Sequence, residues 1–184
     1  HQQVLGPEQM TWLQEKLLQS KAAFKFIALG SQVISDANQH ETWSKFPERQ
    51  VLLDFIKSKQ ITGVVLLSGD RHFPELCKLQ QDGLYPLYDF TSSPLTSPLR
   101  KRVNDPKDPE YAPPLRVAGT KFVQHNYGTV SISGPEGARI CKLSTWDAWG
   151  KLEHPLGLKS NPAGRIGLES RINGNKFSSN GQPR

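Results

Sequence analysis

The sequence of 184 residues has only two cysteines, one methionine and no long hydrophobic segment. Cys77 and Cys141 are too few and too far apart for a disulfide framework or a CxxC metal site. They are either two buried free thiols or one disulfide that closes a long loop. The longest uncharged apolar run covers residues 63–67, far short of the ~20 residues that a membrane-spanning helix requires. We therefore expect no membrane span.

The composition also excludes several protein classes. Hydrophobic residues make up 36% and charged residues 22% of the chain, which fits neither a coiled coil, nor collagen, nor a wholly disordered protein. A chain of this length suits one domain rather than two. It is long enough to bury a core without a disulfide or a metal ion. These values are typical of a single globular domain.

The positive charge of the chain is concentrated near its end. Residues 151–184 contain six basic and two acidic residues, so they carry +4 of the formal net charge of +6. These charges are dispersed, whereas nucleic-acid-binding surfaces usually cluster theirs. We therefore predict residues 1–158 to be the domain and residues 159–184 to be a basic, loosely ordered tail, and we do not expect nucleic-acid binding.

The first half of the chain has the pattern of a βαβ unit. A helix is predicted over residues 6–20, because proline fits its first turn and apolar residues recur at helical spacing. Buried strands are predicted over residues 24–30 and 61–68, separated by a helix over residues 47–59. Such a crossover is almost always right-handed and joins parallel strands. We therefore predict an α/β fold.

The second half has a different pattern. A further strand is predicted over residues 87–91, and a long irregular loop over residues 96–120, which contain five prolines. Apolar and polar residues then alternate over 128–133 and 139–144, on either side of a Gly-Pro-Glu-Gly turn. This pattern predicts an antiparallel β-hairpin with one buried face and one exposed face.

The segment after the second predicted strand, residues 68–75, is the best candidate for chemistry. Ligands of open α/β sheets bind beyond the carboxyl ends of the strands, where this segment lies. Gly69 lets the backbone leave the sheet tightly, and in an extended turn Asp70 and His72 point the same way. A carboxylate and an imidazole that face one point can bind a metal ion together. An aspartate turn with an incidental histidine has the same spacing, so both interpretations stay open.

Three further residues belong to the candidate site. Gln32 follows the first predicted strand, and parallel pairing would place it at the same edge of the sheet as Asp70. Arg71 either stabilises charge on a substrate or forms a surface ion pair with Glu75. Trp43 either packs in the core or forms a wall of a substrate pocket.

Other common catalytic motifs are absent. The sequence has no Walker A loop, no GxSxG elbow, no HExxH and no GxGxxG. Ser92 and Ser93 follow a predicted strand, but no neighbouring residue marks a base, so we interpret them as helix caps. A hydrolase that uses one of them as its nucleophile is an alternative, which covalent labelling by a fluorophosphonate would reveal.

Six short blocks of residues follow one another along the chain. They are Leu5-Gly6-x-x-Gln9-x-x-Trp12-Leu13, Gln32-Val33, Trp43-x-x-Phe46-Pro47-Glu48-Arg49, Leu67-Ser68-Gly69-Asp70-Arg71-His72-x-x-Glu75, Phe90-Thr91-Ser92-Ser93-Pro94-Leu95-Thr96 and His125-Asn126-Tyr127-Gly128. This series resembles the C-terminal half of the PhoD-like alkaline phosphatases, which belong to the calcineurin-like metallophosphoesterases. The resemblance covers roughly residues 5–158.

The resemblance implies a fold and an activity. The fold would be the C-terminal half of a four-layer αββα sandwich, and the activity metal-dependent hydrolysis of phosphate monoesters or diesters. The implied cofactor is a dinuclear metal site of iron and calcium, or of zinc or manganese. Asp70 and His72 would be metal ligands, and His72 and Arg71 catalytic residues. Gln32 and Trp43 would contact the substrate, or Gln32 would support the residues that do.

The resemblance also implies that a part is missing. The first half of the family's domain, which supplies most metal ligands, has no counterpart here, so we expect a truncated or split piece whose partner is that N-terminal half. Alone it would hydrolyse phosphate esters negligibly and expose an apolar patch near its first strand. Family habit implies a periplasmic or secreted protein. The alternative is a non-catalytic binding module whose basic tail meets an anionic partner, and metal content distinguishes the two.

Overall fold

The computed structural model describes residues 3–37, 42–80, 82–83, 85–160, 166–169, 171–172 and 175–176. Two α-helices, α1 and α2, two short 3-10 helices, Trp43–Lys45 and Lys101–Asn104, and ten strands, β1 to β10, are present in this part of the chain. In chain order the α-helices and strands are α1 Gly6–Gln19, β1 Lys25–Ala28, α2 Pro47–Ser58, β2 Val64–Ser68, β3 Glu75–Leu79, β4 Leu87–Thr91, β5 Asn126–Ser133, β6 Ile140–Asp147, β7 Leu152–Ser160, β8 Ile166–Glu169, β9 Arg171–Ile172 and β10 Asn175–Lys176. The fold is mixed α/β.

Sheet 1 has the strand order β1-β2-β4-β3. β1, β2 and β4 are parallel to one another, so the predicted βαβ unit is confirmed. β3 runs antiparallel to β4. It was not predicted from the sequence, because it adjoins residues 68–75, which were interpreted as the loop of the candidate site. As a consequence β3 begins at the edge where the parallel strands end, which we call the carboxyl edge.

The two helices cover one face of sheet 1. Each has proline in its first turn, where the missing N–H has no intrahelical partner to lose. Leu52 and Ile56 of α2 and Leu17 of α1 pack with Ile27 and Leu66 of the sheet in one buried cluster. This cluster fixes the sheet to the helical layer and leaves the opposite face of sheet 1 for another partner.

That partner is sheet 2, which is antiparallel with the order β5-β6-β7-β8. Val65 and Phe90 of sheet 1 pack against Cys141, Leu143 and Leu156 of sheet 2 in a second buried cluster. The predicted hairpin is confirmed as β5 and β6, whereas β7 and β8 were not predicted. The described residues therefore form one helical and two sheet layers, and the fourth layer of the expected sandwich stays a prediction.

The burial expected for the hairpin is wrong for β5. Asn126 is the one buried residue of this strand, and the other seven are exposed. The reason is that β5 is the outermost strand of sheet 2, and none of its residues belongs to the buried cluster between the two sheets. The partner strand β6 does bury an inner face, including Cys141 and Leu143. The two strands of one hairpin thus lie in different environments.

Three further predictions concern the two cysteines, a membrane span and the C-terminal tail. Cys77 and Cys141 are both free and buried, so the alternative of two buried thiols is confirmed. No helix in the described part of the chain is long and apolar enough to cross a membrane. β8 pairs with β7 inside the segment predicted to be a tail, and most of residues 161–184 lie outside the described residues.

Candidate active site

The candidate turn, residues 69–73, leaves sheet 1 at the carboxyl edge. It follows β2, the strand between β1 and β4, as is typical of ligand-binding loops in α/β sheets. A Cβ atom on Gly69 would lie 3.6 Å from the carbonyl oxygen of Gly30, so the chain leaving β1 lies beside the turn. The turn therefore lies at the edge of the sheet where it was predicted, and its role as a site stays a prediction.

The turn is not extended, contrary to the expectation. Asp70 and His72 both have left-handed backbone conformations, with φ of 65° and 60°. The rule that residues two apart point the same way holds for extended strands only, so it does not place these side chains. A left-handed residue other than glycine costs on the order of 1–3 kcal/mol, and such residues are enriched at functional sites, although Gln60 just after α2 also adopts this conformation. Two of them within three residues mark this turn as unusual.

Asp70 lies at a cleft on the side of β1. The cleft has a volume of about 570 Å³ and is lined in part by Gly30, Ser31, Trp43 and Asp70. Asp70 is exposed, so its carboxylate is accessible to a ligand. Trp43 is only 1% exposed and belongs to the core cluster around the helices. Trp43 therefore packs in the core and also borders the cleft.

His72 is held through its backbone by two residues of the connection between β4 and β5. Its N–H donates to Ser93 Oγ at 2.8 Å, and its carbonyl oxygen accepts from the N–H of Arg100 at 3.2 Å. Asn126 of sheet 2 continues this connection, because its Nδ2 donates to the carbonyl oxygen of Ser93. The turn is thus linked to both sheets. The helix-cap interpretation of Ser93 is wrong, because its hydroxyl binds this turn and not a helix.

Arg71, between the two left-handed residues, is buried with an acidic partner. Its Nε donates to Glu110 Oε1 at 3.1 Å, and its NH2 group contacts the same oxygen. Arg100 approaches the other oxygen of Glu110 at 2.7 Å. The alternative of a surface pair between Arg71 and Glu75 is wrong: the Arg71 side chain is 1% exposed, and the long loop supplies its carboxylate.

Gln32 lies in a second buried network at the carboxyl edge. Its Nε2 donates to Thr91 Oγ1 at 2.8 Å and to Oε1 of Glu75. Glu75 also forms an ion pair with Arg116. The predicted position of Gln32 at this edge is correct, and its Oε1 atom is buried without a hydrogen-bond partner among the described residues. Glu75, which appeared to flank the turn at the surface, is an internal residue.

Asp89 is a fully buried carboxylate beside this network. Its oxygens accept from the N–H groups of Val33 and Ile34, at 2.7 and 3.0 Å, and from Ser68 Oγ at 2.7 Å. Burial raises the pKa of Asp89, although these three hydrogen bonds partly oppose the shift. Asp89 fixes the segment that carries Gln32 to the middle of the sheet.

Asp89 was not predicted as a residue of the candidate site. A carboxylate between the apolar residues of a predicted strand, in Tyr88-Asp89-Phe90, is the signal that could have indicated it. Glu110 and Arg116 gave no comparable signal, because each lies in the proline-rich loop and pairs with a residue about forty positions away. Such pairings are set by the tertiary fold.

The described residues alone do not complete a metal site. They contain no group of three or more histidine, cysteine, aspartate or glutamate side chains that could hold a metal ion. Asp70 and His72 would provide at most two donors, whereas zinc takes about four ligands and calcium six to eight. Any ion held by this turn therefore needs ligands from elsewhere.

Comparisons with known proteins agree with the resemblance seen in the sequence. The model of the PhoD-like phosphatase family matches residues 1–138. The solved structure of PhoD superposes on this fold with a TM-score of 0.61 at 18% sequence identity, which shows a shared fold. The match covers 91% of this chain and 35% of that protein's chain, so this chain spans about a third of the solved relative. No curated protein matches the sequence.

Proposed function

Because this chain belongs to the PhoD-like phosphatase family, we propose that it forms part of an enzyme that hydrolyses phosphate monoesters or diesters. The observation that carries the proposal is the turn at the carboxyl edge, with Asp70 and His72 both in left-handed conformations. Strain of this kind persists only where the surrounding structure enforces it. Here Ser93 and Arg100 hold the turn through the backbone of His72.

Asp70 and His72 are the proposed metal ligands, and His72 also a proposed catalytic residue. Exposure of Asp70 at the 570 Å³ cleft supports its role, because a ligand can reach it. Bound metal ions of iron and calcium, or of zinc or manganese, would supply Lewis-acid activation of a phosphate ester. Since two donors do not hold such ions, the remaining ligands come from outside the described residues.

The other predicted site residues receive roles that fit their surroundings. Gln32 is buried, which favours a role in positioning the residues that contact substrate over direct contact. Trp43 forms part of the cleft wall. Arg71 was predicted to stabilise charge on the phosphoryl group, but it is buried and paired with Glu110, which favours a role in holding the turn between Asp70 and His72 over direct contact with substrate.

We propose that the complete enzyme contains a complementary part that corresponds to the N-terminal half of a PhoD-like domain. The support is the coverage of the solved relative, of which this chain spans 35%. Export to the periplasm or the cell exterior is proposed on family habit. The natural substrate class is phosphate esters in general.

The test is metal content and hydrolysis in the complete domain. The expected result is that Asp70→Ala removes most of the bound iron, calcium, zinc or manganese, measured by elemental analysis, and abolishes hydrolysis of p-nitrophenyl phosphate and its diester. The matched control is Asp82→Ala, which removes another exposed carboxylate, in the turn between β3 and β4. Equal metal content in both variants would contradict the role of Asp70 and favour a non-catalytic binding module.

A further inference from the structure

We infer that β5 is a docking edge for a β-strand supplied by the part of a PhoD-like domain that lies outside these 184 residues. The inference rests on the proposed function, because it names the surface on which the complementary part binds. We call this surface the β5 groove and define it by Leu67, Phe90, Gly128, Val130 and Ile132.

The first argument is the direction in which the exposed apolar side chains of β5 point. Gly128 faces sheet 1, since a Cβ atom there would lie 2.7 Å from Phe90 Cε1. Side chains alternate along a strand, so Val130 and Ile132 face the same way. They are nevertheless 40% and 51% exposed. The inner face of sheet 2 therefore continues as an uncovered apolar surface.

The second argument is the contrast with the neighbouring strand. Val130 pairs with Leu143 and Ile132 pairs with Cys141 across β5 and β6. Both partners on β6 are fully buried in the cluster between the sheets. Two adjacent strands thus present the same apolar face, and only β6 is covered. The β5 groove is a direct continuation of the interface between sheet 1 and sheet 2.

The opposite wall of the groove lies on sheet 1 and is also only partly covered. Leu67 and Phe26 pack at the margin of the cluster between the sheets and are half-buried. Leu67, Phe90 and Val130 line one cavity of about 320 Å³. This space suits apolar side chains that enter from an added strand.

The third argument is the backbone of β5. The strand is outermost in sheet 2, so one side of its backbone has no strand partner among the described residues. The N–H of Asn126 at its start donates to the carbonyl oxygen of Pro94, so the open edge consists of residues 127–133. Proteins usually protect such edges with lysine, proline or a bulge. Residues 126–133 contain no charged residue and no proline, and their pairing with β6 is regular. An unprotected apolar edge of this length is typical of a site of strand addition.

The choice of occupant follows from the comparison with the solved relative. This chain matches it over 91% of its own length but covers only 35% of that chain. A part of that fold therefore lies outside this chain, and among the described residues the β5 groove is a place where the core shared by the two sheets is open to it. The occupant is therefore an extended segment of the complementary part, with apolar residues at alternate positions. A second copy of this chain is the competing occupant.

Site-specific photo-crosslinking tests this inference. The photoreactive residue p-benzoylphenylalanine replaces Ile132 in the protein expressed in its own cells, and mass spectrometry identifies the attached peptide. The matched control carries the same residue at Asp54, an exposed residue of α2 in the helical layer on the other face of sheet 1. We expect attachment at 132 and none at 54, to a peptide of a PhoD-like domain outside residues 1–184.

Three results would overturn the inference. They are a crosslink to residues 1–184 of a second copy, a crosslink to an unrelated protein, and a yield at 132 no higher than that at 54. The readout does not depend on catalysis, so the crosslink can succeed where hydrolysis fails. Failure of the proposed function and failure of the docking edge are in this way distinguished.

Discussion

Two regions of the molecule differ in which side chains they bury and which they expose. At the carboxyl edge of sheet 1, charged groups such as Arg71, Glu75 and Asp89 are buried and each has a partner. At β5 of sheet 2, the apolar side chains of Val130 and Ile132 are exposed. Charge inside and apolar surface outside are both costly arrangements for a protein.

The comparison shows which contacts this chain provides for itself. The buried charged groups at the carboxyl edge find their partners in the same chain: Glu110 and Arg116 of the long loop pair with Arg71 and Glu75, and Asp89 accepts three hydrogen bonds. The apolar groups of β5 have no such cover in the described part of the chain. The carboxyl edge is thus organised before any partner binds, whereas the β5 groove depends on one.

The largest effect should come from the buried charges. Arg71→Ala leaves Glu110 buried without one of its two arginine partners, and breaking a buried pair typically costs about 3–5 kcal/mol. We expect a loss of unfolding free energy of this size in urea denaturation. Arg102→Ala, which removes an arginine that is 85% exposed in the same loop, should change stability by less than about 0.5 kcal/mol. Equal losses of unfolding free energy in the two variants would show that the buried charge pair at the carboxyl edge contributes no more than an exposed charge.

A smaller effect should come from the apolar strand. Ile132→Thr keeps a β-branched residue on β5 and removes a group that is already half in water, so the expected change is within about 0.5 kcal/mol. Leu143→Ala on β6 empties a fully buried position and should cost about 2–5 kcal/mol. Thermal and urea unfolding measure both. A cost for Ile132→Thr close to that for Leu143→Ala would show that β5 is covered in this chain.

Local patterns in the sequence were sufficient for much of the fold. The apolar runs around Ile27 and Leu66 predicted two parallel strands, and the alternation on both sides of Gly134 predicted the hairpin. These elements depend on periodicity and turn chemistry, which are visible within about ten residues. β3 was not predicted, because Glu75, its first residue, was interpreted as part of the loop that precedes it.

The candidate site was only partly accessible from the sequence. The Gly-Asp-Arg-His turn and Gln32 were located correctly, because strand ends meet at one edge of a parallel sheet. The partners of Arg71 and Glu75, which are Glu110 and Arg116, lie about forty residues away in an irregular loop. No local rule specifies such pairs, and the left-handed conformations of the turn depend on them and on Ser93.

The most direct test of the account is the hydrolysis of p-nitrophenyl phosphate by the purified 184-residue chain alone, with and without a chelator. The account holds that Asp70 and His72 are one part of a site whose other ligands lie elsewhere, so it predicts no turnover above the rate without protein. Robust turnover that the chelator abolishes would show that the chain holds a complete metal site by itself, and would contradict the account.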